Sequence, residues 1–187
     1  MGEDKAFLRL GDETLLSRAL NLARSLTPNV RIVGETAKFS KLGPVVEDLY
    51  PERGPLGGIH AALLSTPTAL NLIMAIDTPF IETRFLEFLI SEARCSGAMV
   101  TVPRSEAHIH SLCAVYRKEF SAMAEQSLIL GQNRIDVLFS SVKTRVIEDV
   151  DLQRLGFSVE MFHNLNTREE WREAELIVAK EDVLRES

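Results

Sequence analysis

Cysteine is scarce in this chain: Cys95 and Cys113 are the only two in 187 residues. Their spacing matches no zinc-binding pattern, and Cys113 lies in an apolar run, so both are expected to be buried free thiols, suited to a reducing cytoplasm. Basic residues are outnumbered, 21 Lys and Arg against 27 Asp and Glu, for a net charge of −6. That deficit excludes general nucleic-acid binding, which needs a basic face, but leaves room for one nucleotide held locally. Long apolar runs are absent. None reaches membrane-spanning length and no stretch reads as a secretory leader, so the expectation is a cytoplasmic protein with no membrane partner. Repeats, low-complexity tracts and linkers are lacking too. With 45% hydrophobic and 26% charged residues, the chain reads as one globular domain, 1–187, with a charged tail over 175–187.

The stretch from Leu70 to Phe80 stands out among what is present. Six of the seven residues from Leu70 to Ile76 are apolar, and the run is bounded by Thr66-Pro67 and by Asp77-Thr78-Pro79. A short apolar run with sharp stops reads as a strand buried on both faces, as in a parallel sheet. Around it, strands are expected at Val30–Val33, Val45–Val46, Met99–Pro103, Leu112–Tyr116, Thr144–Ile147 and Val159–Phe162. Helices are expected at Thr14–Leu26, Ile59–Leu64, Glu82–Ala93, Phe120–Ile129, Ile135–Phe139 and Arg168–Ala174, the last with a Thr167–Glu170 capping box. Strands alternating with helices predict an α/β fold with a mostly parallel central sheet.

Three features bear on chemistry. Asp77 ends the buried run, at the strand terminus where open α/β sheets hold ligands. It can hold a cation or a phosphate-bound metal there, or it can serve as a helix N-cap. The segment Tyr50–Ile59 holds two prolines and three glycines, and is expected to be a shaped loop with Gly57-Gly58 opening a helix. Such a loop either admits close backbone approach by a ligand or is simply a turn. His108 and His110 fall in an expected polar loop, Arg104 to His110, as metal ligands or as plain loop residues.

Five segments in order resemble one family, the molybdenum cofactor guanylyltransferases (MobA-like). Met1-Gly2-Glu3-Asp4-Lys5 resembles the end of a signature running Leu-Ala-Gly-Gly-x-Ser-x-Arg-Met-Gly-x-Asp-Lys. Val46-Glu47-Asp48 followed by Gly54-Pro55-Leu56-Gly57-Gly58 resembles a second motif, and Asp77-Thr78-Pro79-Phe80 a metal-site motif. Leu112–Tyr116 and Phe162–Thr167 resemble two further blocks. The resemblance implies a Rossmann-like, three-layer fold of the nucleotide-diphospho-sugar-transferase kind. It implies transfer of GMP from GTP to the phosphate of molybdopterin, with release of pyrophosphate and with Mg²⁺ present. Lys5 would contact the nucleotide phosphates and Asp77 would hold Mg²⁺; these two are the implied catalytic pair. Asp48, Gly54 and Gly57 would bind the nucleotide, and Asn164 and Asn166 would lie on the pterin side. Other proteins of molybdenum cofactor biosynthesis, or acceptor proteins, are the implied macromolecular partners. A cytidylyltransferase of the same superfamily and a non-catalytic nucleotide-binding relative are the rival readings. Two departures stand out: Gly34 occupies the place of an Asn, and the first strand with the start of the Gly-rich loop has no counterpart. The expectation is that the sequence begins inside a longer reading frame.

Overall fold

A computed structural model describes residues 4–186, with side chains described as far as 180. Met1, Gly2 and Glu3 of the expected signature lie outside the described residues, as does the end of the charged tail. Lys5–Phe7 form a 3-10 turn, and a small hairpin follows, β1 (Arg9–Leu10) with β2 (Glu13–Thr14), turned by Gly11 at φ 65°. Thr14 then caps α1 (Leu15–Leu26), its hydroxyl accepting the Ser17 N–H at 3.1 Å. A two-stranded parallel sheet, β3 (Ile32–Val33) with β4 (Val45–Val46), brackets a short α2 (Thr36–Phe39).

The main sheet comes next. Its strands are β5 (Leu70–Met74), β6 (Val100–Ser105), β7 (His108–Ile109), β8 (Cys113–Arg117) and β9 (Thr144–Ile147), ordered β5-β8-β6 with β9 and β7 also on β6. β8 is antiparallel to both β5 and β6, while β9 is parallel to β6. Strands β5, β6 and β9 therefore run one way and β8 runs against them. The α/β class expected from the sequence holds; the sheet is mixed because β6 returns through the β7 hairpin instead of through a crossover helix.

Strand β8 shows why there are three layers. Ala114 and Tyr116 pack with α3 (Pro55–Ser65) and α5 (Phe120–Ile129); Cys113 and Val115 pack with α4 (Thr83–Ser96) and the inner face of α1. Successive side chains point to opposite faces, so a run buried throughout must be covered on both. Phe120, Phe85, Leu86 and Leu89 are wholly inaccessible, and the buried Tyr116 hydroxyl donates to the Ser111 carbonyl at 2.8 Å. Such burial is worth about 25 cal/mol per Å² of apolar surface.

Several expectations are corrected. β5 is only half-buried along its length: it pairs with β8 on one edge, and among the described residues no strand pairs the other. Pro55–Gly58 are the first turn of α3, since Pro at the first helical position costs no hydrogen bond. Residues 104–110 are a hairpin instead of a loop, and Val159–Phe162 is a 3-10 turn instead of a strand. Helix α6 (Ile135–Phe139) matches its expected bounds, whereas α2 and α7 (Asp149–Arg154) were not anticipated. α8 (Arg168–Glu186) runs on unbroken, and Ala174 and Val178 bury against Leu10 and Leu15. Cys113 is buried, but Cys95 is exposed on the outer face of α4. Among the described residues no helix is long and apolar enough to cross a membrane.

Candidate functional site

Asp77 lies three residues beyond the end of β5. It caps nothing: α4 begins at Thr83, with Glu82 at its N-cap position. The Asp77 backbone carbonyl accepts the Leu165 N–H at 2.9 Å, which ties the strand end to the segment before α8. That segment is fixed by the capping box. Thr167 Oγ1 accepts the Glu170 N–H at 3.2 Å, and Glu170 Oε2 accepts the N–H groups of Thr167 and Asn166, both at 2.7 Å. These backbone bonds hold the Glu170 carboxyl below its usual range.

The result is a cluster drawn from opposite ends of the chain. Lys5 Nζ donates to Asn166 Oδ1 at 2.5 Å and stands 3.6 Å from Asp77 Oδ2. The lysine is itself placed by Asp4, whose carboxylate caps the turn through the Ala6 N–H at 3.0 Å and pairs with Lys38 at 2.8 Å. The Lys38 bond, first, and the Ala6 N–H keep the Asp4 carboxyl low. An ammonium between a carboxylate and an amide oxygen, all partly open to solvent, can trade those partners for phosphate oxygens. Among the described residues no group of three or more His, Cys, Asp and Glu is placed to hold a metal alone. A single hard carboxylate nonetheless suits Mg²⁺, which takes one or two carboxylates and completes its shell with phosphate oxygens and water.

Asp48, Gly54 and Gly57 form a second group. Asp48 Oδ1 accepts the Tyr50 N–H at 2.8 Å, a local turn bond. Gly54 has φ 66° and ψ −157°, a conformation open essentially to glycine alone, and a side chain there would point into open space. Gly57 is needed for a different reason: a Cβ would lie 2.5 and 2.8 Å from the Asp48 carboxylate oxygens. Among the described residues no hydrogen bond or ion pair joins this group to Lys5, Asp77 or Asn166.

Asn164 faces a third feature, a pocket of about 490 Å³ lined also by Ser105, His108, His110, Phe162 and His163. The Ser105 hydroxyl and His110 Nε2 are 2.6 Å apart, and the His110 ring stacks on Phe162 with centroids 4.2 Å apart and planes within 13°. Burial lowers the His110 pKa; the charge of His108 lowers it further and Asp149 opposes both. Sequence reasoning left His108 and His110 as metal ligands or loop residues and missed Ser105, Phe162 and His163. The signal was there: a hairpin turn between Ser105 and His108 brings residues 105 and 110 together across the strand pair.

A layered α/β sheet with a lysine and a strand-end aspartate facing each other is an arrangement compatible with nucleotidyl transfer. Residues 1–145 match the family described as the MobA-like NTP transferase domain. The chain belongs to that family. It is similar to a molybdenum cofactor guanylyltransferase of Desulfosudis oleivorans, 30% identical over 95% of this chain and 88% of that one. A second relative of the same description, from Syntrophotalea carbinolica, is 28% identical over 92% and 84%. Among solved structures, the molybdopterin-guanine dinucleotide biosynthesis protein A of Archaeoglobus fulgidus superposes with a TM-score of 0.83 at 24% identity, covering 96% of this chain and 92% of that one. The 2-C-methyl-D-erythritol 4-phosphate cytidylyltransferase of Thermus thermophilus does so at 0.69 and 14% identity, over 94% of each chain. At those identities the likeness to solved structures is one of fold.

Proposed function

We propose that this chain is a molybdenum cofactor guanylyltransferase, transferring GMP from GTP to the terminal phosphate of molybdopterin in the cytoplasm. An acceptor phosphate oxygen bonds to the α-phosphorus of GTP, the bond from that phosphorus to the bridging oxygen breaks, and pyrophosphate leaves. Lys5 supplies positive charge to the phosphates, and Asn166 fixes the ammonium while the site waits for them. Asp77 would hold Mg²⁺, which when bound neutralises charge on the phosphate oxygens. Asp48 and the first turn of α3 would bind the nucleoside end, with Gly54 leaving its backbone bare. In a reaction with little covalent chemistry for the protein to perform, placement and charge neutralisation carry the rate.

One observation carries this reading. Lys5, Asp77 and Asn166 come from three separate motifs, 161 residues apart at the extremes, and meet within hydrogen-bonding or ion-pairing distance. The guanylyl assignment is supported by relatives near 30% identity over most of the chain, whereas the cytidylyl neighbour at 14% speaks only to fold. The test is pyrophosphate release with molybdopterin and Mg²⁺, run side by side with GTP and CTP. Turnover with GTP and little with CTP is expected. A preference for CTP, or release with neither nucleotide, overturns the assignment.

A further inference from the structure

Gly34, which takes the place of an Asn, is bare for a reason visible in the fold. A Cβ there would lie 2.8 and 2.9 Å from Cε2 and Cδ2 of the Phe39 ring. The φ of Gly34 is outside the left-handed region, so the ring alone keeps a side chain out. That ring belongs to α2, and it stacks on Phe7 with centroids 5.8 Å apart and planes at 22°. Phe7 ends the 3-10 turn that begins with Lys5.

A second tie between α2 and this turn is electrostatic. Lys38, next to Phe39, pairs with Asp4 at 2.8 Å, and Asp4 caps the turn through the Ala6 N–H. The start of α2 is fixed in turn by the Thr36 N–H, which donates to Glu47 Oε1 at 3.0 Å just beyond β4. Beneath the turn lies a small apolar cluster. Ala6, which follows Lys5, is buried there with Leu16, Leu20 and Ile32. Phe39 packs against it, as does Ile76, which precedes Asp77. One cluster thus underlies both the lysine and the aspartate of the candidate site. The Lys5 turn is only three residues long, and 3-10 hydrogen bonds are weak. Its position must come from what it packs against.

We infer that α2 positions the Lys5 turn: Phe39 acting through Phe7, and Lys38 acting through Asp4, hold the ammonium in reach of Asp77, and Gly34 is bare so that the Phe39 ring can take its place. Both are positioning residues. They act through Lys5 and make no contact of their own with substrate. The inference rests on the guanylyltransferase reading, in which Lys5 meets the nucleotide phosphates. Small displacements matter there, since a shift of about 1 Å in a reacting group can cost ~100-fold in rate.

A positioning residue has nothing to act on once Lys5 is gone, so the test is a double-mutant cycle read by calorimetry with GTP and Mg²⁺. F39L keeps apolar volume but loses the stack. K38M keeps the stem of an exposed side chain but loses the charge, so it leaves the fold alone. With Lys5 present, F39L should weaken GTP about fivefold, the worth of an aromatic pair, and K38M about threefold, the worth of an exposed ion pair. In a K5A background each should change affinity by less than about 1.5-fold. General loosening of the fold would show equally in both backgrounds. G34A should weaken GTP as F39L does, by pushing the ring off Phe7, and should have no further effect once F39A has vacated the space. If F39L and K38M bind GTP as the parent does, or cost as much without Lys5 as with it, the inference fails. If K5A matches the parent in both GTP affinity and turnover, Lys5 leaves the site and the inference falls with it. A parent that transfers no GMP while the cycle behaves as expected overturns the guanylyltransferase reading alone, and α2 still positions a nucleotide-binding lysine.

Discussion

Adjacent glycines in the first turn of α3 should respond to alanine in opposite directions. In a helix, Gly→Ala ordinarily stabilises by about 0.5–1 kcal/mol, because alanine loses less backbone entropy. At Gly58 nothing opposes that gain: an added Cβ meets only Val33 Cγ1 at 3.5 Å, an ordinary contact. At Gly57 the same methyl would stand 2.5 and 2.8 Å from the Asp48 carboxylate oxygens and 2.9 Å from the Tyr50 carbonyl oxygen. The carbonyl belongs to the backbone and yields little. The carboxylate can swing away, but it then gives up the 2.8 Å bond from the Tyr50 N–H. A hydrogen bond to a charged group is worth about 1.5–3 kcal/mol. Set against the helical gain, Gly57→Ala should cost about 1–2 kcal/mol, while Gly58→Ala should gain up to about 1 kcal/mol. For a chain of this size that is a fall of about 2–8 °C in Tm for the first and a rise of about 1–4 °C for the second. Thermal melts of the two variants side by side check the stability claim. GTP titration by calorimetry checks its functional counterpart: only Gly57→Ala, which displaces Asp48, should weaken binding. Equal stabilisation by both alanines would show that Asp48 is not packed on α3, and equal GTP affinity would remove Asp48 from the nucleotide site.

Asp77→Asn keeps the side chain's size but removes the charged ligand, and Mg²⁺-dependent GMP transfer should fall by ~100-fold or more, about 2.7 kcal/mol on the barrier; steady-state turnover at saturating GTP measures it, and unchanged turnover would take the metal away from Asp77. Glu170→Ala removes the acceptor shared by the Asn166 and Thr167 N–H groups, so it should loosen Asn166 and raise the KM for GTP through Lys5, in addition to lowering Tm by a few degrees. A purely thermal effect with unaltered kinetics would confine Glu170 to capping. His110 gives the pH dependence. Its pKa is depressed below 6.5 by burial, with the charge of His108 adding and Asp149 opposing. Protonation therefore favours the unfolded chain, and this contribution is present above about pH 6.5 and lost as the pH falls from there through the lower pKa of the folded state. The lowered carboxyls, Asp4, Glu47, Asp136 and Glu170, lose their contribution only at more acid pH, near and below their ordinary values. Tm should fall between pH 7.5 and 5.5, and His110→Gln should flatten that fall.

Much of the fold was legible because the signals were local. The Thr167–Glu170 capping box and the apolar stripe of α1 each state their structure along one short stretch of chain, though Thr14, read as the first helical residue, is the N-cap. Helices α5 and α6 and strand β9 fall on the expected bounds for the same reason. Strand direction is not local. Val100–Pro103 and Cys113–Tyr116 are both runs buried throughout, which fit either a parallel or an antiparallel neighbour. Only the tight turn at Glu106-Ala107 decides, and neither residue is one that such a turn favours. Val159–Phe162 alternates like a strand, yet Ser158 caps it into a 3-10 turn through the Glu160 N–H. Capping won over alternation because the stretch is too short for a ladder.

The candidate site divides along the same line. Resemblance to known motifs picked out Lys5, Asp77 and Asn166 one at a time, and no periodicity in the sequence says that they meet. What brings them together is a chain of backbone constraints: Asp4 capping the turn that carries Lys5, Glu170 holding the Asn166 and Thr167 N–H groups, and Leu165 bonded to the Asp77 carbonyl. Each of these partners has a structural explanation of its own, so each reads in the sequence as a cap or a turn. The same holds for Gly57, whose absent side chain makes room for Asp48. In this fold the groups proposed to bind and the groups that cap are neighbours on one segment. A substitution at Glu170 or Gly57 should therefore move stability and affinity together, whereas one at Asp77, which caps nothing, should move Mg²⁺-dependent GTP binding and turnover with little change in Tm.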